Sequence, residues 1–251
     1  MYHKIATLVP VAHLDLIKND SYFMALAHVA ENDNEYLDFF RDMAHDGRTV
    51  ILDNSVVELG EPMPIAHQLT MANYIGAEEL VLPDYFEDNR RTLYESLKAM
   101  TFLRDQRYAG RTMGVPQGTS RRYWELCARK MIEAGVDTIG VSYRYTEMFG
   151  GSRLGAVEWL DGFDVGIHLL GCSADPAMEV APALLRDNVR GVDSSSPSIY
   201  AHHGLPYTGK GTRPMRTNDF LTDRYDVSLL ASNIATWRHR CQNGYRISPS
   251  R

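Results

Sequence analysis

The chain has 251 residues, 44% of them hydrophobic and 23% charged, with a formal net charge of −6. That is material for a sizeable core in one large domain or two small ones, and no run approaches the roughly 20 apolar residues that span a bilayer. Cys127, Cys172 and Cys241 are odd in number and far apart, which speaks against a secreted disulfide framework and against a Cys-x-x-Cys zinc clamp. The acidic balance argues against a surface that coats nucleic acid generally. The cations nevertheless gather locally, in "RDQRYAGR", "SRRYWELCARK", "YTGKGTRPMR" and "TWRHRCQNGYRISPSR". The opening "MYHKIATLVPVAH" has no basic leader or cleavage site, so a soluble cytoplasmic protein is expected.

In chain order, β-branched runs alternate with amphipathic helical stretches. The expected strands are "KIATLVPV" (4–11), "TVILDNSV" (49–56), "ELVLPD" (79–84), "RTMGVPQG" (111–118), "TIGVSYR" (138–144), "GIHLLG" (166–171) and "VRGVDSS" (189–195). Between the fourth and fifth lies "SRRYWELCARKMIEAG", with Ser120 as N-cap and Gly135 as stop. In "SADPAMEVAPALLRD", Ser173 or Asp175 can cap and Pro176 suits a first turn. Apolar strands separated by helices indicate parallel βαβ units. Seven of them at this length fit a single (β/α)8 TIM barrel spanning residues 1–251, irregular at its eighth strand. That strand is sought in "GTRPMRTNDFL", before a closing helix over 226–241. An open doubly wound sheet is the alternative, but no Gly-x-Gly-x-x-Gly follows the first strand.

In such a barrel, chemistry collects where strands end. Asp53 closes the second run, Asp84 the third, Gln117 the fourth, Ser142 to Arg144 the fifth, Gly171 the sixth and Asp193 the seventh. Three carboxylates and an amide on one rim point to a shared pocket. His168 lies in an apolar run, as a core or supporting histidine would; His202 and His203 fall on a loop. No His-x-His, His-x-x-Glu-His or Gly-x-Ser-x-Gly pattern occurs, so neither metal hydrolysis nor a serine triad is signalled. "GLPYTGKG" nearly matches a phosphate loop, but Gly211 stands where the magnesium-holding Ser or Thr would be. Carboxylates and an amide can read a purine-like edge. A carboxylate can attack an anomeric carbon, and another can move the proton.

In this order the motifs resemble the tRNA-guanine transglycosylase superfamily over residues 50–200. "ILDNS" resembles its Asp-Ser-Gly-Gly segment, "VLPDYFED" its base-holding Asp segment and "MGVPQGTS" its Val-Gln-Gly. "TIGVSYRYTEM" stands where the family has Gly-Gly-Leu-Ser-Val-Gly-Glu. "IHLLGCSADPAMEV" is similar to its His/Tyr-Leu-Met-Gly, and "GVDSSSP" to its Phe-Asp-Ser or Phe-Asp-Cys once a two-residue gap is allowed. The Cys-x-Cys-x-x-Cys…His zinc site of the tRNA enzymes is missing, and Val56-Val57 stands near where they have Gly-Gly. The chain is also shorter than typical tRNA enzymes. It is most similar to the compact, zinc-free 7-deazaguanine DNA transglycosylases of bacteriophages and bacterial DNA-modification systems; a phage-encoded protein would work in the host cytoplasm.

The resemblance implies Asp193 as nucleophile, Asp53 as proton carrier and Asp84 and Gln117 as readers of the base. It adds Gly140, Val141 and Gly171 around that base, and Tyr143 or Tyr145 is expected to stack on a base. Arg144, Arg153, Lys210 and Arg213 are expected on the nucleic acid. DNA and a free 7-deazaguanine base are the expected partners, with no membrane, metal or other cofactor. The same exchange on tRNA, or an inert nucleotide-binding barrel, remain open alternatives.

Overall fold

The computed structural model describes residues 4–172, 175–209, 214–215, 221 and 225–243. Eight short strands run β1 Lys4–Thr7, β2 Tyr22–Leu26, β3 Thr49–Asp53, β4 Glu79–Val81, β5 Arg111–Gly114, β6 Thr138–Ser142, β7 Gly166–Leu170 and β8 Val189–Ser194. All paired neighbours are parallel, and the sheet order β1-β8-β7-β6-β5-β4-β3-β2 returns the last strand to the first. β1 and β2 lie against one another without a registered ladder, so the (β/α)8 barrel has one unsealed seam. The helices are α1 Ala27–Asn32, α2 Asn34–His45, α3 Val56–Leu59, α4 Ile65–Ile75, α5 Asn89–Asp105, α6 Arg121–Glu133, α7 Leu154–Leu160, α8 Val180–Ala183, α9 Ser196–His202 and α10 Val227–Gln242. None among the described residues is long and apolar enough to cross a membrane.

β2 is the stave that the sequence hides. "YFMAL" is buried on both faces and runs straight into α1 at Ala27, with no turn residue between. An apolar run without punctuation reads as readily for helix as for strand. The stretch in which the eighth strand is expected lies largely outside the described residues, and the ring is complete without it. Of the two expected helix starts, Ser120 is the N-cap residue of α6 but makes no side-chain cap bond. Asp175 accepts from the Ala177 N–H at 3.0 Å, in a turn ahead of the short α8. Ser173 lies outside the described residues. Gly135, at φ +91°, follows α6 and ends it as expected. α10 closes the barrel, its first N–H groups held by Asp226.

The two-residue period of the strands separates two apolar layers. Ala6, Leu8, Tyr22, Met24, Leu26, Ile51, Val81, Met113 and Val115 fill the barrel. Their neighbours, such as Phe23, Val50, Leu52, Leu80, Ile139 and Leu169, face the helices. A bulge in β8 changes the phase: Val189 pairs with Ile167 but Gly191 pairs with His168, which leaves Arg190 as the extra residue. Arg190 and Asp193, three apart, therefore both turn inward, at opposite ends of the barrel. Arg190 closes the base, donating to both Glu79 oxygens at 2.9 and 2.8 Å, to Thr138 Oγ1 at 2.8 Å and to Glu78 at 3.0 Å. Gly166 makes room for it, since a Cβ there would stand 2.6 Å from Arg190 Cδ.

Candidate active site

At the other end the strand termini surround a cavity that opens to solvent. Its walls include Asp53, Glu58, Asp84 and Asp193, with Met24, Leu26, Val56, Val81, Val115 and Leu170 as apolar surface. The carboxylates are distributed around the wall: among the described residues no three His, Cys, Asp or Glu side chains gather closely enough to hold one ion.

Asp193 is fixed by its own barrel. Its Oδ1 receives the Gly171 N–H at 3.0 Å and lies 3.1 Å from His168 Nε2. His168 is fully buried, and its Nδ1 is 2.7 Å from the Tyr22 hydroxyl on β2. Among the described residues no group bonds to Oδ2. The supporting role expected of His168 is thus directed at the carboxylate that the family resemblance marks as the nucleophile.

Asp53 ends β3, where the chain bends through Ser55 at φ +60°. This left-handed turn aims the Ser55 N–H back onto Asp53 Oδ2 at 2.8 Å, and the Ser55 hydroxyl accepts from His28 N at 3.1 Å. Such conformations are uncommon outside glycine and concentrate at functional sites. Burial pushes the Asp53 carboxyl well above its usual range. Glu58, and then Asp193 and Asp84, push the same way against the Ser55 bond.

Asp84 is buried with one amide on each oxygen: Asn54 Nδ2 donates at 2.7 Å to Oδ1 and Gln117 Nε2 at 2.6 Å to Oδ2. Burial raises its pKa to about 6, although both amides and the charge of Arg144 pull it down. Asn54 is held in turn, donating to Leu82 O at 2.7 Å and accepting from Val56 N at 3.0 Å.

The remaining expected residues divide. Tyr143 and Gly171 line the cavity. Gly171, at φ +65°, lets the Tyr143 ring close over it; a Cβ would lie 2.7 Å from that ring. Arg144 is exposed, with its guanidinium 4.0 Å above the Phe86 ring on the cavity wall. Gln117 stands behind the wall: its Oε1 accepts from the Tyr145 hydroxyl and from Glu87 N at 3.3 Å, so it orients Asp84 and does not face the cavity. Gly140 lies below the floor, beneath Leu170 and Val115. Val141 faces the helices, and its carbonyl is taken by Arg153. Neither meets a ligand in the cavity.

Arg153 corrects a further expectation. It is fully buried and cannot reach a phosphate. Its guanidinium pairs with Glu179 at 2.7 Å and donates to the carbonyls of Val141, Leu170 and Gly171 at 2.8, 3.0 and 2.8 Å, tying the ends of β6 and β7 together. Lys210 and Arg213 lie outside the described residues. Elsewhere in the basic segments, Arg238 and Arg240 are engaged by Asp20 and Asp175. "RDQRYAGR" leads into β5 at the base of the barrel, far from the cavity.

Sequence reasoning passed over Asn54, Glu58, Tyr22 and Phe86. Asn54 lies within, and Glu58 just beyond, the motif that points to Asp53, and Tyr22 sits on the strand that the sequence hides. No protein-family model matches the chain, and neither does any curated protein.

Proposed function

We propose that the chain is a base-exchange pentosyltransferase that replaces guanine in DNA with a 7-deazaguanine base through a covalent Asp193–glycosyl intermediate. The observation that carries this reading is one cavity at the strand ends that joins an anchored carboxylate, Asp193, to a second, Asp53, whose pKa burial and like charge raise.

An unstacked guanosine enters, because C1′ is out of reach inside a duplex. Asp193 Oδ2 bonds to C1′ while the C1′–N9 bond breaks. The electron pair leaves with the purine, which takes the proton from Asp53. The purine departs and a 7-deazaguanine base replaces it, its N–H edge facing Asp84. Asp53, now a carboxylate, removes the N9 proton as N9 attacks C1′ and the Asp193 ester bond breaks. Both carboxyls return to their starting states, so no co-reactant is consumed. A raised pKa suits a carboxyl that must give and then take the same proton. Tyr143 and the Phe86–Arg144 pair provide flat faces at the mouth for a base and a charge for its phosphate.

The test is release of labelled guanine from DNA and, separately, from tRNA upon addition of a 7-deazaguanine base. Release from DNA by the wild type and none by Asp193→Ala is the expected result. Preference for tRNA would move the substrate, and release from neither would leave an inert barrel.

A further inference from the structure

Tyr22, His168 and Asp193 form a line across the barrel interior from β2 through β7 to β8. The separations are 2.7 Å from the Tyr22 hydroxyl to His168 Nδ1 and 3.1 Å from His168 Nε2 to Asp193 Oδ1. Tyr22 is 1% exposed and His168 is fully buried, so water does not compete for either bond. We propose that Tyr22 is a positioning residue that, by donating its proton to Nδ1, holds His168 as a neutral Nε2–H donor to Asp193 Oδ1 and leaves Oδ2 as the attacking oxygen.

The argument is one of donor counting. An ionised carboxylate only accepts, so the imidazole nitrogen facing Oδ1 must carry a proton. The neutral ring then has a lone pair at Nδ1, and a buried lone pair calls for a donor. Tyr22 supplies it: burial holds the phenol well above its usual range, so its proton stays in place. Oδ1 thereby has two donors, His168 Nε2–H and Gly171 N–H. Two donors draw negative charge onto one oxygen and fix the carboxylate plane, which leaves Oδ2 aligned with the cavity. His168 so placed orients the nucleophile and exchanges no proton with the substrate. The designation of Oδ2 rests on the base-exchange reading; the tautomer does not.

The experiment has a spectroscopic and a kinetic arm, both on the full chain. Long-range 1H–15N spectra of histidine-labelled protein, with His168 identified by its loss in His168→Gln, report the protonated nitrogen directly. The expected wild-type signal is that of a ring protonated at Nε2 and not at Nδ1. In Tyr22→Phe the Nδ1 resonance should move to that of an unbonded lone pair. Guanine release should slow about tenfold, the worth of one buried hydrogen bond, with KM for the free base unchanged. His168→Gln, whose amide can still donate to Oδ1, should keep release within about tenfold of wild type and preserve the shape of the pH profile. His168→Leu should lose far more. An Nδ1–H or doubly protonated His168 in the wild type would overturn the proposal without reference to activity, should Tyr22→Phe fail to fold. So would an unmoved Nδ1 resonance in Tyr22→Phe, or a pH limb that vanishes in His168→Gln. A wild type with the expected tautomer but no release from any polynucleotide would defeat base exchange and leave the Tyr22–His168 link standing.

Discussion

The two ends of the barrel treat buried charge in opposite ways. At the base, the Glu79 carboxylate is met by the Arg190 guanidinium on both oxygens, and Thr138 takes a further donor. At the rim, Asp53, Glu58, Asp84 and Asp193 share a cavity, and the donors that touch the three aspartates there are amides, a peptide N–H or an imidazole. The contrast separates structure from chemistry. Pairing at the base is what a buried charge needs to be tolerated. The rim leaves like charges close together, and burial with that repulsion raises the pKa of Asp53, while burial raises that of Asp84. Sites under such electrostatic strain are functional candidates on physical grounds.

Substitutions at the two ends should therefore move different quantities. The largest effect belongs to Asp193→Asn: guanine release should fall by about 10⁴-fold, as for loss of a covalent nucleophile, while urea denaturation shows no loss of stability. Arg153→Met should lower stability by roughly 3–5 kcal/mol, because Glu179 is left buried without its counter-charge. At the base, the same measurement on Glu79→Ala should show a smaller loss, since Arg190 keeps Glu78 and Thr138 as partners.

Stability against pH gives a third contrast. Asp84 titrates at about 6 when folded, above its ordinary 3.8. A folded state that binds the proton more tightly than the unfolded chain is favoured at low pH. This contribution is therefore full below about pH 4 and is lost as pH rises through about 6, an amount on the order of 3 kcal/mol. Asp53 acts with the same sign. Asp53→Asn should accordingly raise stability at pH 8 and flatten the slope, which the pH dependence of denaturation midpoints will show, while guanine release is lost. The smallest effect is expected from Glu58→Gln. Removing its charge lowers the Asp53 pKa, so the basic limb of the rate profile should move to lower pH with the maximal rate within about tenfold of wild type.

Much of this arrangement was legible in the residues. Runs such as "TVILD" and "GIHLL" have the length and branching of buried strands, and their polar ends mark the rim, so Asp53, Asp84 and Asp193 could be placed together before the fold was known. What was hidden has physical causes. β2 has turn residues ahead of it, at Asn19, Asp20 and Ser21, but none between it and α1, so strand and helix read as one run that hides Tyr22. The bulge at Arg190 is a local change of pairing, invisible to a two-residue period. Arg153 looks like any surface arginine, because nothing in its neighbourhood announces Glu179 twenty-six residues on. Gln117 follows β5, but which way its side chain faces depends on partners, here Tyr145 and Asp84, that follow other strands.

The central claim is a bond between Asp193 and the sugar. Incubating the protein with a guanine-containing single-stranded oligonucleotide, quenching in acid and mapping the linked peptide by mass spectrometry tests it directly. An adduct at Asp193 in the wild type, discharged by added 7-deazaguanine base and absent from Asp193→Asn, is the expected result. Base exchange without any adduct at Asp193, or an adduct that persists in Asp193→Asn, would contradict it.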